Sequence, residues 1–184
     1  MSAQPQKPPR MNVDEFVLWA EDRPGRWELF DGEAVAQASE RAAHWKVKFA
    51  TQAALLAAVK TKDLRCHVVP DGATVRIDAT SAYEPDALVY RGEEVAPSAL
   101  IVENPLIIVE VLSPWTERVD RGRKLADYFR LPSVTHYLVI DPDQPLVLHH
   151  LRSGADILTR VLREGAIVFD PPGFEVALSQ FNQP

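Results

Sequence analysis

Three residues of this sequence put charge where charge is expensive: Asp86, Glu110 and Lys124. Glu110 interrupts the aliphatic run Leu106-Ile107-Ile108-Val109-Glu110-Val111-Leu112. An ionised carboxylate without partners is strongly disfavoured in a dry interior, so Glu110 must reach water or meet a cation. Asp86 follows Pro85 and opens a second aliphatic run, Ala87-Leu88-Val89-Tyr90. If the two runs are neighbouring strands, their carboxylates can converge on one end of a sheet. Two carboxylates and water suit a hard, oxygen-ligated cation such as Mg²⁺ or Mn²⁺. Such an ion lowers the pKa of a bound water and stabilises charge on a phosphoryl oxygen, and a lysine ammonium beside it adds to that stabilisation. Glu33 and His44 are further polar candidates upstream. The same residue types also allow a purely structural arrangement, in which Asp86 caps a strand start, Glu110 pairs internally with Lys124 and no metal binds.

The elements that must position these groups read as follows. Asn12 to about Glu21 is a short helix with Asn12 as cap and Glu15 at the capping-box position. Asp31-Gly32 joins the runs 27–30 and 33–36 in a tight hairpin. Ser39 is expected to cap a long helix reaching about Lys60. Its apolar face would be Trp45, Phe49, Leu56 and Val59, and His44, Lys48 and Gln52 form a separate polar stripe. That stripe is either solvated or set beside a polar site. Short strands follow at 66–69, 73–77 and from about Asp86, then the central strand 106–112. A helix over 120–130 would bury Leu125 and Phe129, and would carry Asp120, Lys124 and Tyr128 on one face. The strand 136–140 comes next, so the strand–helix–strand order implies a right-handed crossover and a parallel pair. The tail has hairpin grammar at 145–162 and 166–176. A mixed sheet flanked by helices results, an α/β (α+β) chain with extra hairpins at both ends.

Length and composition bound the function classes. The 184 residues suit one domain, over 12–184, after a proline-rich, disordered lead-in at 1–11. Net charge is −6, so nucleic-acid binding would need a local basic patch. Arg118, Arg121, Arg123 and Arg130 with Lys124 supply one. The lone Cys66 excludes an internal disulfide and a cysteine-based zinc cluster. No run is long enough for a membrane helix, and the N-terminus has no apolar signal segment, so a cytoplasmic protein is expected. His149 and His150 are consecutive on a strand and face opposite sides. The aromatic set Trp27, Trp45, Phe49 and Phe129 is expected in the core. Hairpin-rich ends leave strand edges and apolar surface that a homodimer would cover.

The ordered set Glu84-Pro85-Asp86, Val109-Glu110-Val111-Leu112-Ser113-Pro114, Asp120-Arg121-Gly122-Arg123-Lys124-Leu125 with Tyr128, and Tyr137-Leu138-Val139-Ile140-Asp141-Pro142 resembles the Uma-two family of restriction endonucleases, in the PD-(D/E)XK nuclease-like superfamily. Trp27-Glu28-Leu29-Phe30-Asp31-Gly32-Glu33 is similar to the family's N-terminal hairpin. The resemblance implies a restriction-endonuclease-like fold and Mg²⁺-dependent (or Mn²⁺-dependent) hydrolysis of DNA. It makes Asp86 and Glu110 metal ligands. The superfamily lysine lies two residues past the glutamate, where this chain has Leu112, so the resemblance points to Lys124 on the following helix. Glu33 and His44 match polar positions, and Ser113 and Tyr128 would order the turn and the lysine. Arg118, Arg121 and Arg123 would face nucleic acid. The alternatives are a non-catalytic nucleic-acid-binding or assembly module that kept the fold, and hydrolysis of another phosphorylated substrate.

Overall fold

The computed structural model describes residues 9–113 and 121–181, with only the backbone of Arg121. Helix α1 (Val13–Glu21) begins at Asn12, whose side chain accepts from the Glu15 N–H while Glu15 returns a bond to the Asn12 N–H. The expected capping box is therefore formed. Strands β1 (Trp27–Phe30) and β2 (Glu33–Ala36) pair across Asp31-Gly32, both in the left-handed region at φ 48° and 82°. That is the backbone such a two-residue hairpin turn demands. Helix α2 (Ala42–Thr61) follows, then β3 (Cys66–Pro70), β4 (Val75–Arg76), β5 (Ala82–Tyr83), β6 (Ala87–Arg91) and β7 (Pro105–Val111). Helix α3 (Arg121–Tyr128) leads to β8 (His136–Asp141), β9 (Leu146–Ser153), β10 (Asp156–Leu162), β11 (Ala166–Phe169) and β12 (Phe174–Ala177).

The main sheet runs β10-β9-β8-β7-β6-β3, antiparallel throughout except for β7 and β8. That parallel pair is joined through α3, as the strand–helix–strand order requires. A smaller sheet, β2-β1-β5-β4, stands beside it under α1, and β11 and β12 form a separate hairpin. Alternation along β7 decides what each side chain meets. Ile107, Val109 and Val111 face α2 and the β11–β12 hairpin, in a core with Leu55, Leu138 and Phe169. Ile108 and Leu112 face the other way, with Tyr83, Tyr128 and Tyr137. Glu110 belongs to this second set by parity and so points at α3. Each fully buried aliphatic or aromatic side chain in these layers is worth about 1.5–3 kcal/mol.

Arg152 fixes where α3 ends. Its guanidinium donates to the carbonyls of Val134, Phe129 and Leu131 at 2.8, 2.8 and 2.9 Å. Those carbonyls have no helical partner once the chain leaves α3, so the bonds tie the turn to β9.

Three expectations need correction. Ser39 does not cap α2: the helix starts at Ala42, and Arg41 at the cap position makes no side-chain bond to the helix end, its guanidinium going instead to Asp143 at 2.8 Å. The strand expected over 73–77 shortens to Val75–Arg76. Helix α2 is also turned the other way. Trp45, Phe49 and Leu56 are 50%, 71% and 41% exposed, whereas His44 and Lys48 are buried with Val47, Leu55 and Val59. The reason is partnership. Alanines spread round the helix weaken its amphipathic signal, and carboxylates from other segments make the polar stripe the better face to bury. Leu125 is half-buried, Phe129 is buried and Trp27 is half-buried.

Candidate active site

At one end of the main sheet lies a cavity of about 240 Å³, lined by residues that include Arg26, Glu28, Glu40, His44, Asp86 and Lys124. Six segments supply them: β1 with the residue before it, the segment before α2, α2 itself, the β5–β6 junction, β7 and α3.

Asp86 stands where β6 begins, next to Ala87, which pairs with Val109 of β7. Its backbone carbonyl accepts from Gln52 Nε2 at 2.8 Å, and its Oδ2 accepts from the Val111 N–H at 2.7 Å. These bonds lock the carboxylate and leave Oδ1 facing cations, with Lys48 Nζ at 3.3 Å and Arg26 Nη1 at 3.8 Å. The expected convergence of Asp86 and Glu110 on neighbouring strands therefore occurs. Glu110 Oε1 accepts from Lys124 Nζ at 3.1 Å and from the Tyr128 hydroxyl at 2.9 Å. Lys124 also donates to Glu28 Oε1 at 2.9 Å. Lys124 and Tyr128 are one helical turn apart, which is why both reach the same oxygen.

Burial raises the pKa of Glu110. Lys124 pulls it back in part, while Asp86 and Glu28 push the same way as burial. Burial alone would lower Lys124, but Glu110 and Glu28 outweigh it and hold the ammonium charged. Burial likewise opposes the charge on Lys48, and Asp86, Glu40 and Asp71 overcome it. Burial would raise Glu40, yet Lys48, His44 and Arg26 bring it below its ordinary value.

His44 is buried and its role follows from its partners. Nε2 lies 2.9 Å from the Val111 carbonyl oxygen, which can only accept, so Nε2 carries the proton. Nδ1 is the other ring nitrogen. It makes no hydrogen bond, and it sits 3.2 Å from Glu40 Oε2. A ring nitrogen and a carboxylate oxygen at that separation need positive charge between or beside them. Donor atoms of Glu40, His44 and Asp86 all lie within 4.8 Å of one another. A histidine whose second nitrogen is pinned to a backbone carbonyl has the arrangement of a metal ligand. Two carboxylates and one imidazole fit a divalent ion, and the imidazole favours Mn²⁺ over Mg²⁺.

The structure thus brings together Asp86, Glu110, Lys124, His44 and Tyr128, with Ser113 on the cavity wall. Glu33 lies away from the cavity lining, on β2, 3.4 Å from Arg10. Arg123 is bonded to Asp31 at 2.8 Å and Asp127 at 3.4 Å. Arg118 lies outside the described residues, and Arg121 is placed on α3. Sequence reasoning missed Glu28, Glu40 and Arg26 as site residues. Glu28 accepts from Gln37 at 2.6 Å and from the Glu84 N–H at 2.9 Å. The available signal was a lone carboxylate in an apolar run, because Glu28 lies between Trp27 and Leu29 on β1.

Comparison with known proteins shows the family and the fold. The model of the Uma2 family, described as "Putative restriction endonuclease", matches residues 13–180. The chain belongs to that family. It is similar to two uncharacterized proteins of Synechocystis sp. strain PCC 6803. One, slr1290, is 27% identical, covering 82% of this chain and 79% of its own length. The other, sll1609, is 26% identical, covering 85% and 90%. The crystal structure of a "putative nuclease belonging to DUF820" from Anabaena variabilis superimposes with a TM-score of 0.68 at 16% identity, covering 93% of this chain and 97% of that one. The restriction-endonuclease-like fold, a mixed α+β architecture, is shared. No helix among the described residues is long and apolar enough to cross a membrane.

Proposed function

We propose that this protein is a metal-dependent endonuclease that hydrolyses phosphodiester bonds in DNA. The observation that carries the reading is the meeting of Asp86, Glu110 and Lys124 at one sheet end, beside the Glu40–His44 pair. Asp86 is common to two donor groups. Glu40 and His44 flank it on the α2 side, and Glu110 flanks it on β7. These residues would hold Mg²⁺ or Mn²⁺, which when bound supplies an activated water and charge neutralisation at phosphorus. The chain's own contribution is positional. The Val111 N–H and Gln52 fix Asp86, while the Val111 carbonyl fixes His44. Lys124 places its positive charge where negative charge builds on the phosphoryl oxygens. Tyr128 and Glu28 keep Lys124 and Glu110 in register, and Ser113 orders the turn leaving β7.

Arg118, Arg121 and Arg123 are read as the groups that meet the DNA backbone. A homodimer in the cytoplasm, presenting two cavities to one duplex, completes the reading. The exposed Trp45–Phe49–Leu56 face and the edge strand β10, with Ile157, Leu158 and Val161 exposed, are the surfaces it would cover.

Supercoiled plasmid incubated with Mn²⁺ or Mg²⁺ tests the activity. Nicking and linearisation are expected, lost in Asp86→Ala and in Glu110→Ala. Full activity in Glu110→Ala would refute the mechanism. One observation favours a second reading, a nucleic-acid-binding or assembly module without catalysis: Lys124 is 4% exposed and engaged by two glutamates. Calorimetric titration separates the two, because that module would take up no divalent ion at millimolar concentration.

A further inference from the structure

The α2 side of the cavity holds a cation of its own. The Lys48 ammonium is bonded to Glu40 Oε1, to Asp71 Oδ2 at 2.9 Å, and approaches Asp86 Oδ1 at 3.3 Å. Two of those three carboxylates belong to the group whose donor atoms cluster within 4.8 Å, and the third member is His44. The ammonium therefore sits on two of the carboxylates that a metal ion would use, at Glu40 Oε1 and Asp86 Oδ1. His44 supplies the independent sign that the place is built for a ligand. Its Nδ1 is buried, 3.2 Å from Glu40 Oε2 and without a hydrogen bond. An ammonium that already has three carboxylates around it does not satisfy this nitrogen.

Arg26 also touches the group, 2.5 Å from Glu40 Oε1 and 3.8 Å from Asp86 Oδ1. It differs in having an anchor elsewhere, since it donates to Glu84 Oε1 at 3.1 Å and to the Glu84 carbonyl at 3.3 Å. Among the described residues Lys48 has one partner outside the metal group, Asp71, on the turn after β3 and with a side chain 36% exposed. That carboxylate gives the ammonium somewhere to remain when it leaves Glu40 and Asp86.

We infer that Lys48 is an internal stand-in for the metal: it holds Glu40 and Asp86 in place while the site is empty, and a divalent cation binds by displacing it toward Asp71. This rests on the metal-binding part of the proposed function. Its consequence is that removing the lysine strengthens metal binding, whereas an ordinary supporting residue would weaken it on removal. Lys48 is on this account a positioning residue that sets the metal concentration at which the site fills.

The test is calorimetric titration of Mn²⁺ into the full chain as wild type, Lys48→Gln and Lys48→Arg. Glutamine keeps length and hydrogen bonding but no charge, and arginine keeps the charge. Lys48→Gln is expected to bind Mn²⁺ roughly tenfold or more tightly than wild type, and Lys48→Arg to stay within about threefold of it. Wild type that binds Mn²⁺ while Lys48→Gln binds equally or more weakly overturns the inference and leaves the metal site standing. Equal tightening in Lys48→Arg overturns it too, because charge would not be the competitor. Absence of binding in all three removes the metal reading and the inference with it. Should Lys48→Gln be unfolded without metal, circular dichroism with added Mn²⁺ decides: refolding supports the stand-in role, and failure to refold overturns it.

Discussion

Two buried lysines stand at this site, Lys124 on the cavity wall and Lys48 behind its carboxylates, and they are held in different ways. Lys124 on α3 lies between Glu28 and Glu110, whose side chains are 1% and 12% exposed. Lys48 on α2 lies among Glu40, Asp71 and Asp86, of which Glu40 and Asp71 are 21% and 36% exposed. Both ammoniums are nearly fully covered themselves. The difference is on the carboxylate side. The cage of Lys124 is closed, so its ion pairs are part of the fold. The cage of Lys48 opens towards solvent, so its partners can exchange one cation for another. Among the described residues, six carboxylates (Glu28, Glu40, Asp71, Glu84, Asp86 and Glu110) face four cations (Arg26, Arg41, Lys48 and Lys124) in and beside the cavity. That excess of negative charge is the electrostatic condition for taking up a divalent ion.

The largest effect is expected from opening the closed cage. Lys124→Met leaves Glu28 and Glu110 buried without their cation and should cost about 3–5 kcal/mol in urea unfolding. Lys48→Gln should cost clearly less, since its partners can rehydrate. Equal losses would erase the distinction between the cages.

Acid should expose a buried polar cluster that has no cage. On the far part of the sheet His136 Nε2 donates to the Pro171 carbonyl at 3.0 Å, so His136 Nδ1 accepts from His149 Nε2 at 2.9 Å. His149 Nδ1 is left without a bond. Burial lowers both imidazoles to about 4, against gains from Pro171 and Asp170 at His136, and with His136 adding to the lowering at His149. The unfolded chain, with histidines near 6.5, binds more protons between those values. Stability is therefore full above about pH 6.5 and falls as pH drops towards 4, by on the order of a few kcal/mol. Thermal unfolding across that range checks it, and a flat Tm would show the pair to be charged or solvated.

Tyr128→Phe sharpens the comparison further. It removes one of two bonds to Glu110 Oε1 and should cost about 1 kcal/mol in unfolding, with Lys124 still in place. The smallest stability effect is expected on the outer face of α2. Phe49→Lys should change unfolding by no more than about 0.5 kcal/mol. Its readout is light scattering, where a shift from dimer to monomer is expected, and an unchanged mass would move the proposed interface elsewhere.

Much of the scaffold was legible in the chain because local rules decide it. Asn12 and Glu15 form their box, Asp31-Gly32 turns its hairpin, and the run around Glu110 is a central strand paired in parallel with β8. Alternation then puts Glu110 on the α3 side, where Lys124 and Tyr128 share a helical face. What local rules could not decide was which face of α2 to bury. Trp45 and Phe49 are more apolar than His44 and Lys48, and composition alone sends them inward. Only the folded chain brings Glu40, Asp71 and Asp86 to the other stripe, and Glu28 to a lysine 96 residues away. A charge is buried or exposed according to its partners, and partners distant in sequence exist only after the sheet has formed. The sequence by itself determined most of the strands along the chain, the parallel β7–β8 pair and the residue types at the sheet end. The tertiary structure decided that two cages stand there, and that one of them is open.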